Sequence, residues 1–403
     1  MARTTTHFHV SCQLWEFSQT IELISAIFFK VLLLLPAFLS AVALPTSEIS
    51  ANVTSSISSE GLLPRLLEAR AVAPILDFSQ SSYIWTGEQT GPDHTAPLGA
   101  RPFRREIPSS STKCPVCATI IVVCDDQCPV FINGVQIGAG RGPSQGAVVY
   151  TAGLYPDSKN VFGISVSNTV GSAGLIATIL VDYTDGTTET IVTDSTWKTL
   201  KGVAPGGWTS PSFDDSAWIA ADVEGPSTAS PWGTPRLPPA INMTTAAWLQ
   251  TNEDVSSGSA PRGHRAFRKT FTSPYGKAAV CGKVVLSVED SYTLYVNGKT
   301  IGTGSGWTAM QAYSIPQLDP DVNVVAVNGA NVRANSRVYL AAGVLIAYND
   351  GTSETYYTDA SWKTLNALPP AGFEQPDADD SEWVASTLWA GGPVGNGATV
   401  PNA

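Results

Sequence analysis

Cys124–Gly138 reads CDDQCPVFINGVQIG, and Val288–Gly302 reads VEDSYTLYVNGKTIG. Each passes from an acidic pair through a short alternating run to Asn-Gly, a dipeptide that favours the positive φ angles of a tight hairpin. Asn133 and Asn297 stand 164 positions apart. Outward from them, RPFRREI (Arg101–Ile107) returns as RAFRKTF (Arg265–Phe271). NVFGISVSN (Asn160–Asn168) returns as NVVAVNGAN (Asn323–Asn331). DYTDGTTETIVTDSTWKTL (Asp182–Leu200) returns as AYNDGTSETYYTDASWKTL (Ala347–Leu365), and GGWTSPSFDDSAW (Gly206–Trp218) as AGFEQPDADDSEW (Ala371–Trp383). Blocks kept in one order at a nearly constant offset mean a duplicated module of roughly 160 residues, each large enough for its own core. The expected modules are 75–224 and 241–403. Between them GPSTASPWGTPRLPPA (Gly225–Ala240) reads as a Pro/Ser/Gly linker.

Within a copy the pattern is all-β. Val284–Val288, Tyr292–Val296, Asn323–Val327, Val338–Ala347 and Glu354–Thr358 have strand length and composition. Asp185-Gly186 and Asp350-Gly351 mark further hairpins. Seven or eight short strands without amphipathic helices imply a β-sandwich or jelly roll in each copy. Only 14% of residues are charged and 43% are hydrophobic, which excludes wholesale disorder. A formal charge of −11 argues against nucleic acid as a partner.

Val31–Ala43 reads VLLLLPAFLSAVA behind Lys30, so residues 1–43 read as a signal peptide cleaved after Ala43. The run is short for a membrane span and contains Pro36, so no stable membrane insertion is expected after cleavage. Residues 44–74 read as a Ser-rich linker or pro-segment. Sequons at Asn52 and Asn242 suit a secreted, extracellular glycoprotein. Cys114, Cys117, Cys124 and Cys128 cluster too closely for a zinc ribbon, and an oxidising compartment favours disulfides. Four cysteines permit three pairings, among which sequence does not choose; Cys124 with Cys128, which flank a DDQ turn, is the favoured one, and Cys281 is expected to be a buried free thiol.

The carriers YTLYVNGKTIG, SFDDSAW with ADDSEW, and the DGT hairpins resemble the galactose-binding-like jelly-roll modules of α-L-rhamnosidases and β-galactosidases. The resemblance runs from about Ile75 to the C-terminus. It implies tandem galactose-binding-like β-sandwiches that recognise glycans or cell-wall polysaccharide, with Ca2+ at the sandwich edge in some members. Such modules accompany a catalytic domain, for which this chain has no room.

Candidate chemistry is sparse. Asp214-Asp215-Ser216 before Trp218, and Asp379-Asp380-Ser381 before Trp383, read as capped turns docking an aromatic rather than a catalytic carboxyl pair. Trp197, Trp362, Trp85 and Trp248 read as core, the last two at corresponding places. Beyond the leader, His94 and His264 remain, and no G-x-S-x-G elbow supports a Ser-His-Asp triad. The second copy alone carries Tyr292, where the first has Cys128, and Trp307, where the first has Pro143. An aromatic in a Gly-rich loop can form a platform for a sugar face, with nearby carboxylates fixing hydroxyls. Trp307, Tyr292, Asp290, Glu253 and Asp254 are therefore the carbohydrate-binding candidates. Asp125, Asp126, Glu289 and Asp290 could contribute to a Ca2+ site, although no contiguous calcium loop is present. The expectation is a secreted, non-catalytic, lectin-like carbohydrate-binding protein. The alternatives are a glycoside hydrolase-related enzyme with a site between modules, and a structural or adhesion protein.

Overall fold

The computed structural model describes residues 73–110, 112–253, 262–332, 337–390, 394 and 398–403. The signal peptide, nearly all of the 44–74 segment, Asn52 and Asp254 lie outside the described residues. The described chain is two β-sandwiches built from four antiparallel sheets.

The first sandwich holds β1 (Ser82–Trp85), β2 (Gly99–Ile107), β3 (Pro115–Asp125), β4 (Gln127–Ile132), β5 (Val135–Arg141) and β6 (Val148–Gly153). It continues with β7 (Asn160–Asn168), β8 (Gly174–Tyr183), β9 (Thr188–Val192), β10 (Lys198–Thr199), β11 (Ile219–Ala220) and β12 (Asp222–Pro226). One sheet runs β12-β1-β8-β3-β6 with β9 on β8, and the other runs β11-β10-β2-β7-β4-β5. The second sandwich holds β13 (Leu249–Gln250), β14 (Gly263–Thr272), β15 (Ala279–Glu289), β16 (Ser291–Val296), β17 (Lys299–Ser305) and β18 (Gln311–Ile315). It ends with β19 (Val322–Asn331), β20 (Tyr339–Tyr348), β21 (Ser353–Tyr357), β22 (Lys363–Thr364), β23 (Val384–Ala385) and β24 (Thr387–Leu388). Its sheets repeat the first copy's order almost strand for strand: β18-β15-β20-β13-β24 with β21 on β20, and β17-β16-β19-β14-β22-β23.

The repeated blocks have physical reasons to be repeated. Asn133 and Asn297 take φ of 51° and 49° ahead of Gly134 and Gly298, as the tight turn demands. Their side chains also reach sideways: Asn133 Nδ2 donates to Asn160 at 2.7 Å, and its Oδ1 accepts from the Val161 amide. Asn297 does the same with Asn323 and Val324. The second Arg of RPFRR and RAFRK, Arg104 or Arg268, is buried under the DDSxW loop and binds its carbonyls and its second Asp, Asp215 or Asp380. Burial works against ionisation of both carboxyls, but hydrogen bonds from Lys198 and Lys363 and the Arg charges hold them below the usual carboxylate range. Asp214 and Asp379 each cap the amide of the Ser two residues on. These acids build turns, as expected. Trp197 and Trp362 are core, also as expected.

Three expectations are corrected. Cys281 is not a free thiol: it forms a disulfide with Cys117, 164 positions away, alongside the expected Cys124–Cys128 bond. That separation equals the repeat offset, so the bridge joins equivalent positions on β3 and β15, one from each sandwich. Lys283 lies two residues along, buried. Loss of solvent pulls its pKa down to about 8, against the attraction of Asp182. Secondly, Trp85 and Trp248 are not equivalent. Ile84 opposes Leu175 and Leu249 opposes Leu340, so Trp248 matches Tyr83 instead. A one-residue slip changes the face: Trp85 lies inside its sandwich, whereas Trp248 packs outside with Ile241 and Met243. Thirdly, 225–240 is not a free linker. Trp232 stacks on Tyr83 at 4.4 Å, Ala147 N–H donates to Arg236 O, and Ala240 N–H donates to Pro401 O. Apolar contacts and main-chain hydrogen bonds override what composition alone suggests.

Candidate functional site

Each sandwich has a corner where its longest early strand turns into the next: Asp125-Asp126 between β3 and β4, and Glu289-Asp290 between β15 and β16. In the second sandwich, Asp290 N–H donates to Ala330 O and its Oδ2 accepts from the Val332 amide at 2.9 Å. The Asp290 carbonyl accepts from Gly306 N–H at 2.7 Å, which places Trp307 directly beside the turn. Gly306 sits at φ 81°, where a β-carbon would be strained. Trp307 keeps 42% of its surface exposed. A second indole, Trp389, is equally exposed and packs edge-on against Tyr339, 6.0 Å between centroids. Tyr339 lies directly across the ladder from Glu289. Arg337 reaches Gln250 Oε1 at 2.9 Å on the same edge. Trp307 thus stands beside the turn, and Trp389 and Arg337 lie further along the same sheet, next to Tyr339 and Gln250.

Of the predicted contacts, Trp307 and Asp290 come together here. Tyr292 does not join them: it is 5% exposed, and its hydroxyl binds Gln311 Oε1 at 2.7 Å and Tyr313 Oη at 3.0 Å. Burial pushes its phenol pKa up. It fills the space that the Cys124–Cys128 disulfide occupies in the first copy, over Gly304 as Cys128 sits over Gly140. Glu253 is held by Arg265 at 2.6 Å, as Glu88 is held by Arg101 in the first copy. Sequence reasoning missed Trp389, Tyr339 and Arg337. A lone Trp in a Gly-rich tail was the available signal for Trp389.

The first corner is closed by its own chain. Trp232 Nε1 donates to Asp125 Oδ2 at 3.0 Å, its ring lies on Tyr83 and 5.0 Å from His94, and His94 pairs with Glu224 at 2.7 Å. Burial raises the Asp125 carboxyl above the usual range. Burial also opposes ionisation of Asp126, but hydrogen bonds from the Thr169 hydroxyl and amide hold its carboxyl below that range.

The fold and its corners define tandem galactose-binding-like β-sandwiches. A crystal structure of the lectin from Pleurotus ostreatus in complex with GalNAc superimposes at a TM-score of 0.74, with 40% identity, over 83% of this chain and 98% of that one. Its apo form gives the same score and identity over 97% of its length. The chain belongs to the family of the Pleurotus ostreatus lectin. It is also 25% identical over 352 residues to the α-L-rhamnosidase of Streptomyces avermitilis, covering 76% of this chain and only 31% of that enzyme. No family model matches. Kinship and fold support a carbohydrate-binding, lectin-like role.

Proposed function

We propose that the chain is an exported lectin that holds galactose-type saccharides at the Asp290 corner of the second sandwich and does no chemistry on them. The observation that carries this is Trp307, an exposed indole set beside the Asp290 turn, with a second exposed indole, Trp389, packed on Tyr339 across the ladder from Glu289. An indole offers an apolar face to the C–H side of a pyranose, and a carboxylate and guanidinium supply an acceptor and donors for its hydroxyls. The lectin relative was crystallised with GalNAc, which makes that sugar the first to test. The Cys117–Cys281 and Cys124–Cys128 disulfides suit an oxidising compartment, and Asn242 of the second sequon is exposed. Among the described residues no helix is long and apolar enough to cross a membrane.

Calcium is the one ion the resemblance implies. Glu289 and Asp290 bring two carboxylates to the corner. Among the described residues no three His, Cys, Asp or Glu side chains gather as a metal group. A shell of six to eight oxygens would therefore draw on main-chain, amide and water oxygens, and no step of recognition is routed through the ion.

The test is a glycan array and calorimetric titration with GalNAc, galactose and cell-wall fractions, with and without a chelator. The parent is expected to bind, and Trp307→Ala to lose binding while keeping its far-ultraviolet spectrum. Silence on every glycan sinks the reading, and release of an aryl group from an aryl glycoside replaces it with a hydrolase.

A further inference from the structure

A shallow, open depression of about 450 Å3 lies on the outer face of the β14–β19 sheet, lined by His264, Asn328, Glu374, Leu368, Pro369 and Pro370. Its size falls within the range of small-molecule sites. His264 pairs with Ala330 across the ladder, and Ala330 O is the acceptor of the Asp290 amide. The cleft therefore starts two strands from the Asp290 corner, about 10 Å at the usual strand spacing.

Its polar groups have a definite sense. Asn328 Oδ1 accepts from His264 Nδ1 at 3.2 Å, which leaves Nε2 as the ring's acceptor in the neutral form. Glu374 adds a carboxylate. Two acceptors beside an apolar wall of Leu368 and two prolines suit a ligand with many donors and an apolar face, and repel anions. The first copy has none of this. His264, Asn328 and Glu374 correspond to Ala100, Ser165 and Thr209. Phe373 corresponds to Trp208, whose larger ring covers Gly163 so closely that a β-carbon there would stand 3.1 Å from it.

We infer that this cleft is a second subsite that takes a further sugar unit of the same glycan, so that the second sandwich selects oligosaccharides over monosaccharides. This rests on the lectin reading above. The experiment is calorimetry with GalNAc, galactose and galacto-oligosaccharides of two to four units, on the parent, His264→Ala and Glu374→Gln. The His264 ring protons, assigned with the His264→Ala variant, are followed by NMR. The parent is expected to bind the longer probes at least tenfold more tightly than either monosaccharide. Each variant should erase that gain and leave monosaccharide affinity unchanged, and the His264 signals should move with the tetrasaccharide only. Monosaccharide binding without a length dependence, or a length dependence untouched by both variants, overturns the subsite and leaves the lectin reading standing. Failure of every probe to bind overturns the lectin reading itself, and the subsite with it.

Discussion

The two acidic corners share their strands and their turn, yet they meet tryptophan differently. At the first, Trp232 from the inter-module segment lies across the turn, bonded to Asp125 and stacked on Tyr83. In the second copy Trp307, beside the Asp290 turn, and Trp389, packed on Tyr339, both keep much of their surface in solvent. The same residue type buries apolar area in one copy and leaves it in solvent in the other. Duplication supplied two scaffolds, and the segments outside the repeated blocks decided which corner stayed accessible.

This contrast can be broken in several ways. The largest expected effect is on the joint between the copies. Cys281→Ser removes a cross-link spanning 164 residues and should cost about 5 kcal/mol of stability on chain-entropy grounds. The drop is measured by thermal or denaturant unfolding against the parent. An unchanged midpoint would mean the modules are held by packing alone. Trp232→Ala should cost about 3 kcal/mol, the scale for emptying a buried aromatic site, with saccharide affinity at the second corner unaltered. A loss of binding there would make the first corner part of the site. Trp389→Ala should weaken saccharide binding ten- to hundredfold, about 1.4 to 2.7 kcal/mol, with little change in melting temperature because the ring is partly exposed. If stability falls instead, Trp389 belongs to the fold.

The smallest effect is on pH dependence. Asp126, Asp215 and Asp380 have folded-state pKa values below their ordinary ones. Such groups stabilise the fold above the unfolded carboxylate pKa and lose that contribution as pH falls through the folded value. Asp125 is raised, so its contribution has the opposite sign: present below the unfolded pKa and lost as pH rises through the folded one. The first copy should therefore show a shallower acid loss than its lowered carboxylates alone would give. Asp125→Asn should steepen it, as read from unfolding free energies between pH 3 and 6 (about the carboxylate range). An identical slope would show that the Asp125 proton does not matter.

Much of the scaffold was legible because its signals are local and occur twice. Asn-Gly turns, alternating strands and the DDSxW caps each act through neighbours a few residues away, and recurrence separated them from noise. The site was legible in part. Trp307 stood out because its counterpart is proline, and it is indeed exposed. Tyr292 stood out for the same reason, its counterpart being Cys128. It lies inside because the alternation of β16 points it at the core, where a hydroxyl network replaces a disulfide. Glu253, a binding candidate in the sequence, is held by Arg265, twelve residues on, a pairing that no local pattern marks.

The order of residues by itself determined two copies of an all-β module, their hairpins and their capped turns, since these follow from backbone preferences and side-chain periodicity over short distances. Only the tertiary structure decided which cysteine met Cys281, which face Trp248 took, and which corner was covered. Those outcomes depend on segments far apart in the chain competing to bury the same apolar surface, and no local pattern records who wins.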